Sequence, residues 1–259
     1  MTEFPTAGDD GLLLVASGPL RPDFLGAPGS RAAAEPLSPL AWCVLASISD
    51  RLFELNDRGA PEPNLVASYT VSGNGMIYRF QIHADRKFHH GDEVTADDVI
   101  YSLTRAALAY PEGSRLFDLV DVAMERGAVV GSGLRRTSRY KFEVQLRDRC
   151  EGFLPYLALP CNSIRARSVP EGALDAFGGP YRVERSGPEA WELRLDRDHP
   201  AANQRAYDRI LVHCPAPDAA PEGPTGVEPP PMSPLSPSPS VLLFDQPVPL
   251  APRLPAGFK

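Results

Sequence analysis

The sequence predicts a mixed α/β and α+β fold, and three observations predict it. A short, wholly apolar run near the amino terminus is followed by a Gly/Pro-rich loop and a capped helix, the start of an α/β layer. Two alternating segments surround a Gly-Asn-Gly turn and lead into a second capped helix, which is an α+β pattern. Further alternating segments return in the second half of the chain, before a Pro-rich tail.

The elements follow in order. Leu12-Leu13-Leu14-Val15-Ala16 reads as a buried strand, stopped by Gly18-Pro19. Residues 18–36 carry Gly and Pro at short intervals and read as a loop. Ser38 before Pro39 is a helix start, with serine as N-cap and proline at the first helical position. That helix is expected to reach about Asp50, with Leu40, Val44, Leu45 and Ile48 on one face. Leu65 to Ser72 alternates, with Leu65, Ala67, Tyr69 and Val71 facing one way. Gly73-Asn74-Gly75 supplies the positive φ angles of a tight turn. Met76 to His83 alternates again and completes a β-hairpin, with Met76, Tyr78, Phe80 and Ile82 on one face.

Thr95-Ala96-Asp97-Asp98 reads as a capping sequence. The Thr95 hydroxyl is expected to accept from a first-turn N–H, and Asp98 to reach back to the Thr95 N–H. The helix behind it runs to about Tyr110, with Val99, Leu103 and Ala107 on one stripe. Tyr140, Phe142, Val144 and Leu146 alternate with polar residues in another half-buried strand, and Gly152 to Leu159 forms a short apolar helix or turn. Trp191, Leu193 and Leu195 mark a strand that pairs with Pro180 to Glu184, and Asp208 to Cys214 is expected to be the last strand. Residues 215–259 hold about half of the prolines, so they read as a largely disordered tail in which Val241 to Phe244 could dock locally.

Composition narrows the function. Hydrophobic residues make up 43% and charged residues 23% of the 259, which is ordinary for a globular protein. The net charge of -7 argues against a nucleic-acid partner. Arg135, Arg136 and Arg139 are the nearest approach to a basic cluster and read as a solvated loop. No run of about 18 apolar residues is present, so no transmembrane segment is expected. The start lacks a basic segment ahead of its apolar run and does not resemble a signal peptide, which makes a cytoplasmic location an alternative. Cys43, Cys150, Cys161 and Cys214 show no metal-ligand spacing, and disulfides are open but not demanded.

Motifs for enzymatic chemistry are absent: no nucleophile elbow, HExxH, P-loop or GxGxxG occurs. His89-His90 with Asp92 is better explained as a hydrogen-bonded turn than as a metal site. Asp97 and Asp98 are expected to be exposed helix-start carboxylates rather than a catalytic pair. The expectation is a protein that is not an enzyme and holds no cofactor or metal.

The stretch Ser49 to Leu108 resembles the family 5 extracellular solute-binding proteins, the peptide-capturing components of ABC importers. The shared residues include Gly59, Pro63, Leu65, Ala67, Ser68, Val71, Ser72, Gly75, Tyr78, Phe80, Lys87, Phe88, His89, Gly91, Thr95, Ala96, Asp98, Val99, Tyr101, Ser102, Leu103 and Arg105. Gly179-Pro180-Tyr181, Trp191 to Asp196 and Tyr207 to Val212 resemble later strands of the same family. Asn74 and His90 stand where the family has Asp, and neither change breaks a turn.

The resemblance implies a type II periplasmic-binding-protein-like lobe, built from residues 10–51 and 160–214, with a small α+β subdomain inserted at 52–159. Family members run to about twice this length, so a second large lobe is expected to be missing. The implied function is non-catalytic capture of a peptide or similar small polar molecule by a monomer, with an ABC permease as partner if the protein is exported to the periplasm or outside. By loop position, Leu20, Arg21 and Asp23 are the expected ligand-binding residues. The alternatives are a cytoplasmic sensor or regulator that reuses the fold, or an inactive relic.

Overall fold

The structure, a computed structural model, describes residues 11–16, 20, 38–109, 114–126, 128–187, 190–213 and 240–244. The chain opens with strand β1 (Gly11–Ala16), the predicted apolar run. Helix α1 (Pro39–Ile48) starts where the sequence places it. The Ser38 hydroxyl accepts from the Ala41 N–H at 3.2 Å, and proline occupies the first turn, where its missing N–H costs nothing. Leu40, Ala41, Val44, Leu45 and Ile48 form its buried face. The helix stops at Ser49, whose backbone is extended and whose hydroxyl donates to the Leu45 carbonyl.

Two short strands follow, β2 (Phe53–Leu55) and β3 (Pro61–Pro63), paired with each other. The hairpin is β4 (Val66–Val71) and β5 (Ile77–Ile82). Gly75 takes φ +72°, as the turn requires. On β5 the alternation holds, with Tyr78, Phe80 and Ile82 buried. On β4 it does not: the register shifts between Val66 and Ser68, so Leu65 and Val66 are both buried while Ala67 and Tyr69 are exposed. A bulge sends two successive residues to one face, which alternation alone does not foresee.

Helix α2 (Ala96–Ala109) has a start that differs from the capping expectation in two ways. Asp98 Oδ2 accepts both the Thr95 N–H at 3.0 Å and the Thr95 hydroxyl at 2.5 Å, so the threonine donates where it was expected to accept. Asp98 is also buried rather than exposed, because its other oxygen takes the Arg167 N–H at 3.1 Å from a distant segment.

Helix α3 (Arg115–Leu119) and the paired strands β6 (Ala123–Glu125) and β7 (Ala128–Val130) precede β8 (Leu134–Ser138) and β9 (Lys141–Gln145). The Arg135–Arg136 segment, read as a loop, is strand β8. Its outward face is all polar, so it lacks the alternation of a half-buried strand. Both arginines are nonetheless exposed, as expected, and pair with Glu143 and Asp97. The four-stranded sheet runs β4-β5-β9-β8. Helix α4 (Phe153–Leu157) closes this part of the chain. In the core beneath the sheet Phe80 stacks on Tyr78 and Phe142, and Phe153 meets Tyr78 at a tilt, with centroids 4.9 to 6.0 Å apart. Each such buried aromatic contributes about 1.5–3 kcal/mol of transfer free energy.

The chain then returns through β10 (Tyr181–Ser186), β11 (Ala190–Leu195) and β12 (Arg209–His213). A last strand, β13 (Ser240–Phe244), lies in the Pro-rich segment, so β12 does not end the sheet as expected. The five-stranded order is β10-β11-β12-β1-β13, with β1 parallel to both of its neighbours. The rest of the tail lies outside the described residues.

Two cores result. One gathers buried residues from Leu52 to Ala166, and the other joins Leu14, Leu20 and the face of α1 to Phe177, Tyr181, Trp191, Leu193, Ile210 and Val212. The stretches that link the cores meet where Ser49 lies beside Ser163. The two hydroxyls are 2.5 Å apart, and the Ile164 N–H donates to the Asp50 carbonyl at 2.9 Å.

Gly178 and Gly179 lie in the seam between the cores. A Cβ on Gly179 would run into the backbone of Ile48 and Ser49, and one on Gly178 would sit 2.6 Å from the Lys87 carbonyl. Gly179→Ala is expected to lower stability by about 2 kcal/mol, since overpacked backbone cannot yield cheaply. Gly187→Ala, whose Cβ would meet only the Ala190 carbonyl at 3.6 Å, is expected to stay within about 0.5 kcal/mol of the parent. Urea unfolding of the two variants checks the contrast.

Candidate functional site

The lobe sheet offers one edge suited to a ligand. Because β1, β12 and β13 run the same way, Ala16, His213 and Phe244 end together. The register sets Val15 beside His213 and Leu243, and Ala16 beside Phe244. The chain leaves β1 toward β10 on one side and leaves β12 toward β13 on the other. The carboxyl ends of parallel strands are where open α/β sheets bind ligands, which makes this edge the candidate site.

Of the three residues expected to bind, Leu20 follows this edge, but its side chain is 3% exposed and packs with Leu14 and Leu40 in the lobe core. Arg21 and Asp23 lie outside the described residues. Sequence reasoning did not single out His213, which ends β12 at the same edge. Its place follows only from the sheet register, and β12 itself was legible.

The seam lies at the opposite end of the sheet, by the amino ends of β12 and β1, and is built from charged and polar groups. Asp50 is 4% exposed. Its Oδ2 lies 3.2 Å from His199 Nε2 and 3.7 Å from an Arg86 guanidinium nitrogen, and Asn64 donates to Oδ1 at 3.4 Å. His199 Nδ1 accepts the Ala201 N–H at 3.1 Å, which leaves the proton of the neutral ring on Nε2, facing Asp50. Asn64 also bonds Glu54, which receives Arg51 at 3.1 Å. Burial holds the Arg51 guanidinium below its usual pKa, against the pull of Glu54 and Asp50.

The second part of the seam is the turn of Lys87 to Gly91. The His89 N–H donates to the Phe177 carbonyl at 2.7 Å, and His89 Nε2 lies 2.9 Å from the Gly179 carbonyl. His90 Nδ1 lies 3.0 Å from the Asp175 carbonyl, and its Nε2 is 3.3 Å from Asp92. Arg182 donates to the His89 carbonyl at 2.6 Å and pairs with Asp196. The paired histidines therefore clamp one core to the other. Among the described residues no group of three or more His, Cys, Asp or Glu side chains is placed to hold a metal. Cys43 and Cys150 are free thiols. No described helix is long and apolar enough to cross a membrane.

These features (an α/β lobe interrupted by an α+β insert, sealed by a polar seam) can be set beside known proteins. A family model described as "Bacterial extracellular solute-binding proteins, family 5 Middle" matches residues 60–216, more than half of the chain. The chain belongs to the family 5 bacterial extracellular solute-binding proteins. The fold agrees with solved structures. OppA of Listeria monocytogenes bound to peptide is 20% identical at a TM-score of 0.64, with 80% of this chain and 43% of that one covered. The pheromone receptor PrgZ, solved for its mode of peptide binding, is 16% identical at 0.64, with 79% and 43% covered. AgaA from A. tumefaciens R10, in complex with agropinic acid, is 20% identical at 0.60, with 78% and 39% covered. This family 5 chain thus spans less than half the length of the structures it matches.

Burial sets the pKa of His89 below its usual value. The bond to Gly179 opposes that shift and the nearby Arg182 charge adds to it. A histidine with a depressed folded pKa takes up its proton more readily when unfolded. Its contribution to stability is therefore complete above the ordinary value of about 6.5 and is lost as the pH falls from there through the folded pKa. Urea midpoints are expected to drop as the pH is lowered from 7 to 5, and His89→Gln is expected to flatten that drop. An equal slope in parent and variant would remove His89 from the account.

Proposed function

We propose that this family 5 chain captures a peptide or similar small polar solute at the carboxyl edge of β12, β1 and β13, without catalysis, in the service of ABC-type import. The observation that carries the reading is the family match over residues 60–216, which covers both the insert and the strands that rebuild the lobe. The edge supports it in physical terms. It gathers the carboxyl ends of parallel strands, and Arg21 and Asp23, which follow β1 in the sequence, are the cation and anion proposed to recognise the two charged termini of a short peptide. OppA of Listeria monocytogenes and PrgZ bind peptides, and AgaA binds agropinic acid, so a polar, multiply charged solute is the class proposed here. An ABC permease is the partner proposed with it, at the outer face of the cell membrane.

A thermal-shift screen of the purified chain against short peptides and small polar metabolites tests the proposal. Binding to the folded state alone raises the midpoint by mass action. A ligand present at about 100 times its Kd adds about 2.7 kcal/mol, which for a chain of this size is a shift of several degrees. Arg21→Ala and Asp23→Ala are expected to weaken that ligand about tenfold or more while leaving the unliganded midpoint unchanged. No shift with any compound at millimolar concentration would sink the reading for this chain.

A further inference from the structure

We propose that β13 is a guard strand, supplied by the chain's own tail, whose role is to cover the edge of β1 and keep other chains from joining the lobe sheet there. On one side β1 is tied to β12 by a parallel ladder that runs from Gly11 beside Arg209 to Val15 beside His213. That ladder holds β1 in the sheet whether or not its other side is covered. Without β13, the other side would be an open edge of six residues, Gly-Leu-Leu-Leu-Val-Ala, with a row of unpaired N–H and C=O groups. Natural sheets protect such edges with a charge, a proline or a bulge. β1 has none of the three: its sequence is uncharged and free of proline, and its register is unbroken. An apolar, uncharged run of this kind is the pattern that pairs with other chains when it is exposed.

β13 takes that exposed side and pairs with β1 alone, Leu12 beside Ser240 and Ala16 beside Phe244. Replacing one edge by another helps only if the new edge is better protected, and the sequence around β13 makes it so. Pro239 stands directly before the strand, and Asp245 and Pro247 follow it. A further strand could not extend its pairing beyond the five residues Ser240–Phe244. The connection keeps the guard within one copy. β12 and β13 are parallel and lie on either side of β1, so the link must travel back along the sheet and across two strand spacings. That distance is about 20 Å, from ~17 Å along a five-residue strand and ~10 Å across. The link, residues 214–239, has 26 residues, of which ten are proline, and reaches roughly 80 Å when extended. It therefore spans the gap without strain, and it holds β13 near its own edge at an effective concentration on the order of a millimolar. In a micromolar solution of the protein, closure within a copy wins over pairing between copies, and the intact chain is expected to be a monomer.

Light scattering on the full chain tests the proposal. Leu242→Pro combined with Leu243→Pro removes one N–H from each side of β13 and leaves β1 unchanged. The variant is expected to associate into dimers and larger species at concentrations where the parent is a monomer. Trp191, 1% exposed in the lobe core, reports through near-ultraviolet circular dichroism that the lobe is still folded. A variant that keeps the Trp191 signal and stays monomeric overturns the proposal. Loss of that signal overturns it too, because β13 would then be part of what folds the lobe and not a cover for it. A second variant checks that the guard comes from the same copy. Cys43, Cys150, Cys161 and Cys214 are replaced by alanine, and Ala16→Cys and Phe244→Cys, one register pair, are placed in one chain. Mild oxidation is expected to give a disulfide-closed monomer of unchanged mass. Crosslinked dimers, or thiols that stay free, would overturn supply from the chain's own tail.

Discussion

An insert can be placed in the middle of a lobe only if the chain leaves and returns at adjacent points, and here those points are held by a few polar bonds. Ser49 meets Ser163, the Ile164 N–H reaches the Asp50 carbonyl, and the Asp50 carboxylate gathers His199, Arg86 and Asn64. Ser49, Asp50, Ser163 and His199 are buried, so an unpaired hydroxyl there would cost about 1–3 kcal/mol and breaking the buried ion pair about 3–5 kcal/mol. Satisfied together, they fix one relative placement of the two cores. Gly178 and Gly179 let the backbones approach closely enough for the bonds to form.

The seam bears on the proposed capture because the candidate edge lies on the lobe alone. A binding edge made of strand ends is only as well defined as the sheet behind it, and the sheet is packed on α1, whose carboxyl end runs straight into Ser49 and Asp50. The turn of His89 and His90 adds a second clamp from the insert to the segment leading into β10. The insert thus serves as a brace for the lobe, with its core residues far from the edge and its surface free to vary. Solved structures that share the fold bind different solutes, a peptide in one and agropinic acid in another.

Much of this was legible in the sequence where local physics decides the outcome. Ser38-Pro39, the Gly75 turn, the alternation of Tyr78, Phe80 and Ile82, and the start of α2 each depend on residues within one or two turns of each other. The misses share the opposite property. β8 presents a polar outer face, so Arg135 and Arg136 carry no alternation. The bulge at Val66 is invisible until β5 sets the register. Asp98 is buried because of Arg167, and Asp50 finds His199 across 149 positions. β13 lies among prolines, whose composition argues against a strand, and only the empty edge of β1 gives it a reason to form. The candidate site was the least legible part. Loop position pointed to Leu20, whose side chain turned inward to the core, while His213 at the same edge is placed by pairing alone.

The central claim is that the seam makes two cores unfold as one. Differential scanning calorimetry of the parent and of Asp50→Ala tests it most directly. The parent is expected to give a single transition with equal calorimetric and van't Hoff enthalpies. Asp50→Ala, which leaves Arg86 and His199 without their carboxylate, is expected to lose about 3–5 kcal/mol and to split into two transitions, one for each core. Two separate transitions already in the parent, or a variant that still melts in one step at the parent's temperature, would contradict the account.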